Sequence, residues 1–237
     1  MFDSHGKFID RMLLPEGASG FHPISYVSRL YMPPAPPAWR TRGKRCMDIA
    51  LALVGLALGA LPMFFAMAAI KLGSPGPVLF RQRRIGLDGK PFVLLKFRTM
   101  RHGSECGELR QTTRDDPRVT REGAWLRRTS LDELPQFINV LRGDMSVVGP
   151  RPHAPGTRAA GWLFEDVTPR YAERHRVKPG MTGLAQTRGW RGETDTEQKL
   201  LGRLASDLEY IETWSLGLDV KIVLRTIPLV LRMLNAY

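Results

Sequence analysis

Apolar and polar positions follow four different patterns along the chain. The run IALALVGLALGALPMFFAMAAI, residues 49–70, carries no charged side chain. At about 1.5 Å of rise per residue it is long enough to cross the roughly 30 Å hydrocarbon layer of a bilayer. A helix that is apolar on every side needs lipid or a very large core around it, so residues 40–72 read as a membrane helix with a basic flank. Pro62 falls near its middle, where it deletes a backbone donor and crowds the preceding turn, which predicts a sharp bend. Residues 1–39 end in YMPPAPPAW, keep no period of 2 or 3.6, and read as a poorly ordered, Pro-rich arm without a signal-peptide pattern.

Residues 73–192 are rich in turn signals. VLFRQRRIG and KPFVLLKFRTM predict two short strands about an Asp88-Gly89 turn, LDELPQFINVL a helix, and GDMSVVGPRP a loop or short extended piece. Residues 193–237 predict an amphipathic helix and then a more apolar one. In the second, Asp219, Lys221, Arg225 and Arg232 are too many charges for a comfortable span. An interfacial helix along a bilayer fits this pattern, and a core helix of the globular part is the alternative. The fold class is α/β, helix-rich with short strands.

Charge changes the picture of the apolar run. Arg40, Arg42, Lys44 and Arg45 precede it, and Lys71, Arg81, Arg83 and Arg84 follow it. The positive-inside rule assigns both flanks to the cytoplasm. A re-entrant helix that dips in, bends at Pro62 and returns satisfies both, whereas an ordinary kinked spanning helix satisfies one. Gly55 and Gly59 form a GxxxG spacing that marks close packing more often than a specific dimer, and a homo-oligomer is left open. The whole chain has 35 Lys plus Arg against 23 Asp plus Glu, a formal charge of +12. That balance calls for an anionic partner: nucleic acid, an acidic membrane, or a phosphorylated substrate. No helix-turn-helix, zinc spacing or RNP-like run supports nucleic acid. Cys46 and Cys106 form no disulfide framework, which fits a reducing compartment.

Candidate chemistry gathers in two places. Between Val78 and Arg101 lie Arg81, Arg83, Arg84, Lys90, Lys96, Arg98 and Arg101 against Asp88 alone. Pairs spaced by two share a strand face, so Arg81/Arg83 and Lys96/Arg98 predict a basic floor suited to phosphate oxygens. In RRTSLDELPQ, Ser130 and Glu133 match a capping box, which is the bland reading. Asp132 is not needed by that box, and in a first helical turn the macrodipole would favour its ionised, nucleophilic and metal-binding form. Arg127 and Arg128 stand ready to hold a phosphate beside it. The five histidines show no ligand spacing.

The blocks KRCMDIALALVGLALGALP, GSPGPVLFRQRRIG, KPFVLLKFRTM, RRTSLDELPQFINVLRGDMSVVGPRP and VKPGMTGLAQTRGWRGETD occur in that order. Over residues 44 to 237 the chain resembles the bacterial sugar transferases, the monotopic phosphoglycosyl transferases that initiate glycoconjugate assembly on polyprenyl phosphate. The resemblance implies a re-entrant membrane helix broken near Pro62, interfacial helices, and a catalytic domain facing the cytoplasm at the inner membrane of a bacterium. It implies that Asp132 attacks the sugar-linked phosphate of a UDP-sugar, with Mg2+ assisting and UMP leaving, and that undecaprenyl phosphate then attacks the phosphosugar-aspartyl intermediate. Glu133 completes the dyad, and the two carboxylates hold the metal. Arg127 matches a phosphate-contacting arginine, and Lys96, Arg98 and Arg151 fall in blocks that bind phosphate or nucleotide. GWRGETD resembles members that transfer glucose 1-phosphate, so UDP-glucose is the leading donor and UDP-galactose the next. Larger members carry extra N-terminal transmembrane helices, and residues 1–39 predict none. The competing readings are a non-catalytic basic scaffold on a membrane and a membrane-tethered nucleic-acid-binding protein.

Overall fold

Helix α1, Arg42–Gly73, begins where Thr41 accepts a hydrogen bond from the Lys44 backbone N–H at 3.3 Å. The computed structural model describes residues 41–104, 116–159, 162–192 and 194–231. The N-terminal arm, Cys106 and Arg232 lie outside the described residues. The helix runs unbroken through Pro62, so the break expected there is not an interruption of the helix. Proline removes one backbone donor and crowds the preceding turn, which bends a helix without having to end it.

One side of α1 is buried at Lys44, Asp48, Ala52, Gly59, Ala66 and Ile70, a spacing that keeps one helical face. The other sides are bare apolar surface, with Leu58 77% and Leu72 88% exposed and Leu61, Phe64 and Phe65 beside them. Both ends are tied to the same domain. Lys44 Nζ bonds Asp219 at 2.9 Å and the Val148 carbonyl at 3.1 Å, and Arg45 donates to the Val140 and Leu141 carbonyls at 2.6 and 2.7 Å. At the far end the Arg98 guanidinium donates to the carbonyls of Pro75, Ser74 and Ile70 at 2.5, 2.7 and 3.4 Å.

Strands β1, Leu79–Ile85, and β2, Pro91–Phe97, form the expected antiparallel hairpin. Asp88 and Gly89 turn it with φ of 54° and 71°, the left-handed values that Asp and Gly tolerate best. The register pairs Phe80 with Lys96, and Arg81 and Arg83 with Leu95 and Val93. Paired residues share a face, so Lys96 looks away from Arg81 and Arg83 and the single basic floor is not formed. The two strands each alternate as expected; their relative register decides which faces coincide.

Helix α2, Arg121–Arg128, is capped by Thr120. A 3-10 turn, Leu131–Glu133, leads into α3, Gln136–Arg142, which Gly143 stops at φ 91°. The helix expected over LDELPQFINVL is therefore two pieces hinged at Pro135. Strand β3, Ser146–Val148, pairs in parallel with the later Gly180–Thr182, while β4, Arg158–Ala159, and β5, Trp162–Leu163, make a small antiparallel pair. Strand β6 is that Gly180–Thr182 segment, followed by α4, Leu184–Thr187, α5, Glu197–Thr213, and α6, Leu216–Leu231.

The larger core packs Val140, Met145 and Val148 against Leu200, Leu204, Tyr210 and Ile211 of α5 and Ile222 of α6. A smaller one joins Ala66 and Ile70 of α1 to Phe97 and Leu126. Asp219, counted in the sequence as a charge on the second C-terminal helix, is fully buried and receives Tyr210 Oη at 2.6 Å and Trp214 Nε1 at 3.0 Å besides Lys44. Leu216, Val220, Leu224 and Ile227 leave an exposed apolar stripe on the same helix. The core reading fits one face of α6, and an apolar face remains open on the other.

Candidate active site

The turn Leu131–Glu133 is seated on the middle of α1. Leu131 packs against the small core that Ala66 and Ile70 of α1 form with Phe97 and Leu126, and Leu134 lies where a Cβ on Gly59 would come within 3.3 Å of its Cδ1. Phe137, one helical turn on, fills the space over Gly55 so fully that a Cβ there would overlap its ring. The GxxxG pair is thus a notch for side chains of this same chain. Anchored by Leu131 and Leu134, the turn directs Asp132 and Glu133 into a basic pocket.

The two carboxylates are treated differently. Arg151 grips Glu133 with both terminal nitrogens, Nη1 to Oε2 at 3.1 Å and Nη2 to Oε1. Burial alone would raise the Glu133 carboxyl, but the charge and hydrogen bonds of Arg151, with Arg191 and Lys96 behind them, hold it below the ordinary range. Asp132 is 8% exposed, and none of the described residues hydrogen-bonds its carboxylate. Burial, reinforced by the charge of Glu133, pushes it up to about 6 against the pull of Lys96, Arg127 and Arg151. The turn that carries Asp132 is a three-residue 3-10 turn and not the first turn of an α-helix, so few aligned peptides oppose its desolvation. The capping box fails. Ser130 makes no cap, its hydroxyl accepts from Arg191 Nη2 at 3.1 Å, and Glu133 is committed to Arg151.

Around the pair stand the cations. Arg127, nearly buried, is steered by Thr99, whose hydroxyl accepts from its Nε at 2.8 Å. Lys96 Nζ lies 5.0 Å over the Phe80 ring; burial, partly opposed by Asp132, lowers its ammonium to about 8. Arg151 is braced in turn, because Arg174 donates to its carbonyl at 2.8 Å while pairing with Asp207 at 2.6 Å and the Tyr171 hydroxyl at 2.6 Å. Lys96, Arg127, Arg151 and Arg191 outnumber Asp132 and Glu133, so the site is built for an anion with more than one negative charge.

Of the expected site residues, Asp132, Glu133, Arg127, Lys96 and Arg151 converge. Arg98 does not: its terminal nitrogens donate to the carbonyls of Pro75, Ser74 and Ile70 at the end of α1, away from the acidic pair. Arg191, Thr99 and the Arg174–Asp207 pair were not singled out. Arg191 lies within the GWRGETD block, but only the fold reveals that it reaches Ser130. Among the described residues no group of three or more His, Cys, Asp or Glu converges, so an all-protein metal cage is not there. Two adjacent carboxylates, one of them without a hydrogen-bond partner among the described residues, do fit Mg2+, which commonly takes one or two carboxylates and completes its shell with substrate oxygens and water.

A family model described as bacterial sugar transferase matches residues 39–233. The chain is 52% identical over 194 residues to the UDP-glucose:undecaprenyl-phosphate glucose-1-phosphate transferase of Caulobacter vibrioides, covering 82% of this chain and 72% of that one. It is 53% identical over 184 residues to the protein of the same name from Escherichia coli, covering 78% of this chain but 39% of that longer relative. It is also 50% identical over 185 residues to the exopolysaccharide production protein PSS of Rhizobium leguminosarum, covering 78% of this chain and 92% of that one. With its acidic pair seated among cations and a match running from before α1 to past the end of α6, the chain belongs to the bacterial sugar transferase family.

Proposed function

We propose that the protein transfers glucose 1-phosphate from UDP-glucose to undecaprenyl phosphate and releases UMP, as the first membrane-bound step of exopolysaccharide or glycoconjugate synthesis. The observation that carries this is the unequal pair: Glu133 is pinned by Arg151, while Asp132 is buried, uncommitted and surrounded by cations. A carboxylate so placed attacks the sugar-linked phosphorus. The bond from that phosphorus to the bridging oxygen breaks, UMP departs with the electron pair, and a phosphosugar-aspartyl intermediate remains. An oxygen of undecaprenyl phosphate then attacks the same phosphorus and returns Asp132 as a carboxylate.

Arg127 and Lys96 neutralise the transferring phosphoryl group, and Arg151 keeps Glu133 ionised beside it. Asp132 and Glu133 would hold Mg2+, which supplies charge neutralisation for the diphosphate. The names of the two glucose-1-phosphate transferases support UDP-glucose as the donor.

The protein sits at the cytoplasmic face of a bacterial inner membrane, with α1 re-entrant and α6 interfacial. Support comes from the bare apolar sides of α1, the basic flanks, and one domain holding both Lys44 and Ser74. The test is UMP release from UDP-glucose by protein in nanodiscs with Mg2+ and undecaprenyl phosphate, beside Asp132→Asn. Transfer by the wild type alone supports the reading. Equal UMP release by both proteins would refute the aspartyl intermediate, and silence of a folded wild type across a panel of UDP-sugars would refute the enzyme.

A further inference from the structure

Ser130 holds a backbone conformation that serine seldom takes. Its φ of 57° and ψ of 15° are left-handed, at the position just past α2 where glycine is usual because it has no Cβ to clash. A residue with a side chain persists there only where its surroundings enforce it. The Leu131–Glu133 turn begins at the next residue, and the Glu133 N–H bonds back to the Ser130 carbonyl at 3.3 Å. The direction in which Asp132 leaves the backbone is therefore set at Ser130.

The contact made to its side chain comes from 61 positions away, where Arg191 donates to the Ser130 hydroxyl. Arg191 rides on a loop fastened to α5. Arg188 pairs with Glu209 at 2.6 Å, and Arg203 donates to the carbonyls of Trp190 and Gly192 at 3.0 and 3.1 Å. The Trp190 ring packs on α5 where a Cβ on Gly202 would fall. Gly189 and Gly192, with φ of 91° and 84°, turn the chain on either side of Trp190 and Arg191. The loop is a fixed arm that delivers one guanidinium to the residue before the nucleophile turn.

We propose that Arg191 is a positioning residue: it holds Ser130 in the left-handed conformation, so that the Leu131–Glu133 turn presents Asp132 to the donor phosphate. This rests on Asp132 being the nucleophile. A direct contact between Arg191 and the donor is the rival role, and glycine at position 130 separates the two. Glycine adopts the left-handed conformation unaided, so it removes the need for a brace and leaves a substrate contact untouched.

The experiment compares wild type, Arg191→Met, Ser130→Gly and the double variant by UMP release from UDP-glucose. Arg191→Met is expected to lower kcat about tenfold with KM changed less than about twofold. In the Ser130→Gly background the same change is expected to lower kcat less than about threefold. An equal loss in both backgrounds, or a loss carried by KM, overturns the proposal. If Arg191→Met does not fold, Arg191→Lys takes its place in the cycle. If the wild type transfers nothing, the nucleophile reading fails by itself, and amide exchange at Glu133 decides the brace. Exchange faster in Arg191→Met and slowed again in the double variant supports it; exchange unchanged in Arg191→Met overturns it.

Discussion

The ring of Phe137 occupies the place where any side chain on Gly55 would have to begin. With Leu131 and Leu134, that contact ties the middle of the membrane-type helix to the segment that carries Asp132. Gly55→Ala must displace the ring, and overpacking of this kind destabilises by about 1–3 kcal/mol. Thermal unfolding should show the loss, and UMP release should fall with it because α3 directly follows the nucleophile turn. Phe137→Leu in the same chain should recover much of both. Gly59→Ala, whose new methyl would meet only the Leu134 side chain at 3.3 Å, should be milder. Failure of Phe137→Leu to rescue Gly55→Ala would mean that the notch is not what couples the two helices.

Local signals predicted local structure well. The hairpin followed from Asp88 and Gly89, and the apolar run gave α1 in full, because in each case neighbouring residues decide the outcome. Contacts between distant segments were hidden. Ser130 and Glu133 match a capping box letter for letter, yet Arg191 takes the serine and Arg151 the glutamate, and no pattern within RRTSLDELPQ reveals either partner. Lys96 and Arg98 looked equivalent, two apart in one basic stretch. Lys96 lies on the strand and faces the site, whereas Arg98 has left the strand and is turned to the end of α1. The acidic pair itself was recognised through the order of five sequence blocks, since charge and spacing alone left the capping reading open.

Arg98 accordingly separates structure from chemistry. Its guanidinium is buried and satisfies three carbonyls at the end of α1. Arg98→Met should cost about 2–4 kcal/mol of stability, the range for stranding buried acceptors that had a charged donor. Its KM for UDP-glucose should stay within about twofold of wild type wherever the variant is folded. A KM raised tenfold in a well-folded Arg98→Met sample would restore the residue to the phosphate site.

Asp132 is expected to trade stability for reactivity. Its carboxyl is raised from the ordinary value of 3.8 to about 6, so the fold binds its proton more tightly than the unfolded chain does. The ionised form therefore weakens the fold progressively as pH rises from about 4 to about 6, and fully above that. Asp132→Asn removes the buried charge. It should raise stability at pH 7.5 by about 1–3 kcal/mol while abolishing transfer, and the gain should vanish near pH 4. In the wild type, kcat/KM should fall on acidification as the Asp132 carboxyl of the free enzyme takes up its proton near pH 6, because the protonated acid cannot attack. An Asp132→Asn protein less stable than wild type at pH 7.5 would contradict the desolvation argument.

The two ends of α1 give the sharpest test of topology. Lys44 and Arg45 at one end and Ser74 and Pro75 at the other are held by the same domain. A helix that crossed the bilayer would have to release one set of these contacts, stranding either the buried Lys44–Asp219 pair, a loss of about 3–5 kcal/mol, or the Arg98 guanidinium. Re-entry keeps both. Cys46 is an exposed free thiol near the first end, and Leu72, 88% exposed, offers a second position near the other. In sealed inside-out membrane vesicles, an impermeant maleimide should label Cys46 in a Cys106→Ser variant, and position 72 in a Leu72→Cys variant prepared on a Cys46→Ser, Cys106→Ser background. In right-side-out vesicles it should label neither. Opposite labelling of the two positions would establish a spanning helix and would require the domain to let go of one end.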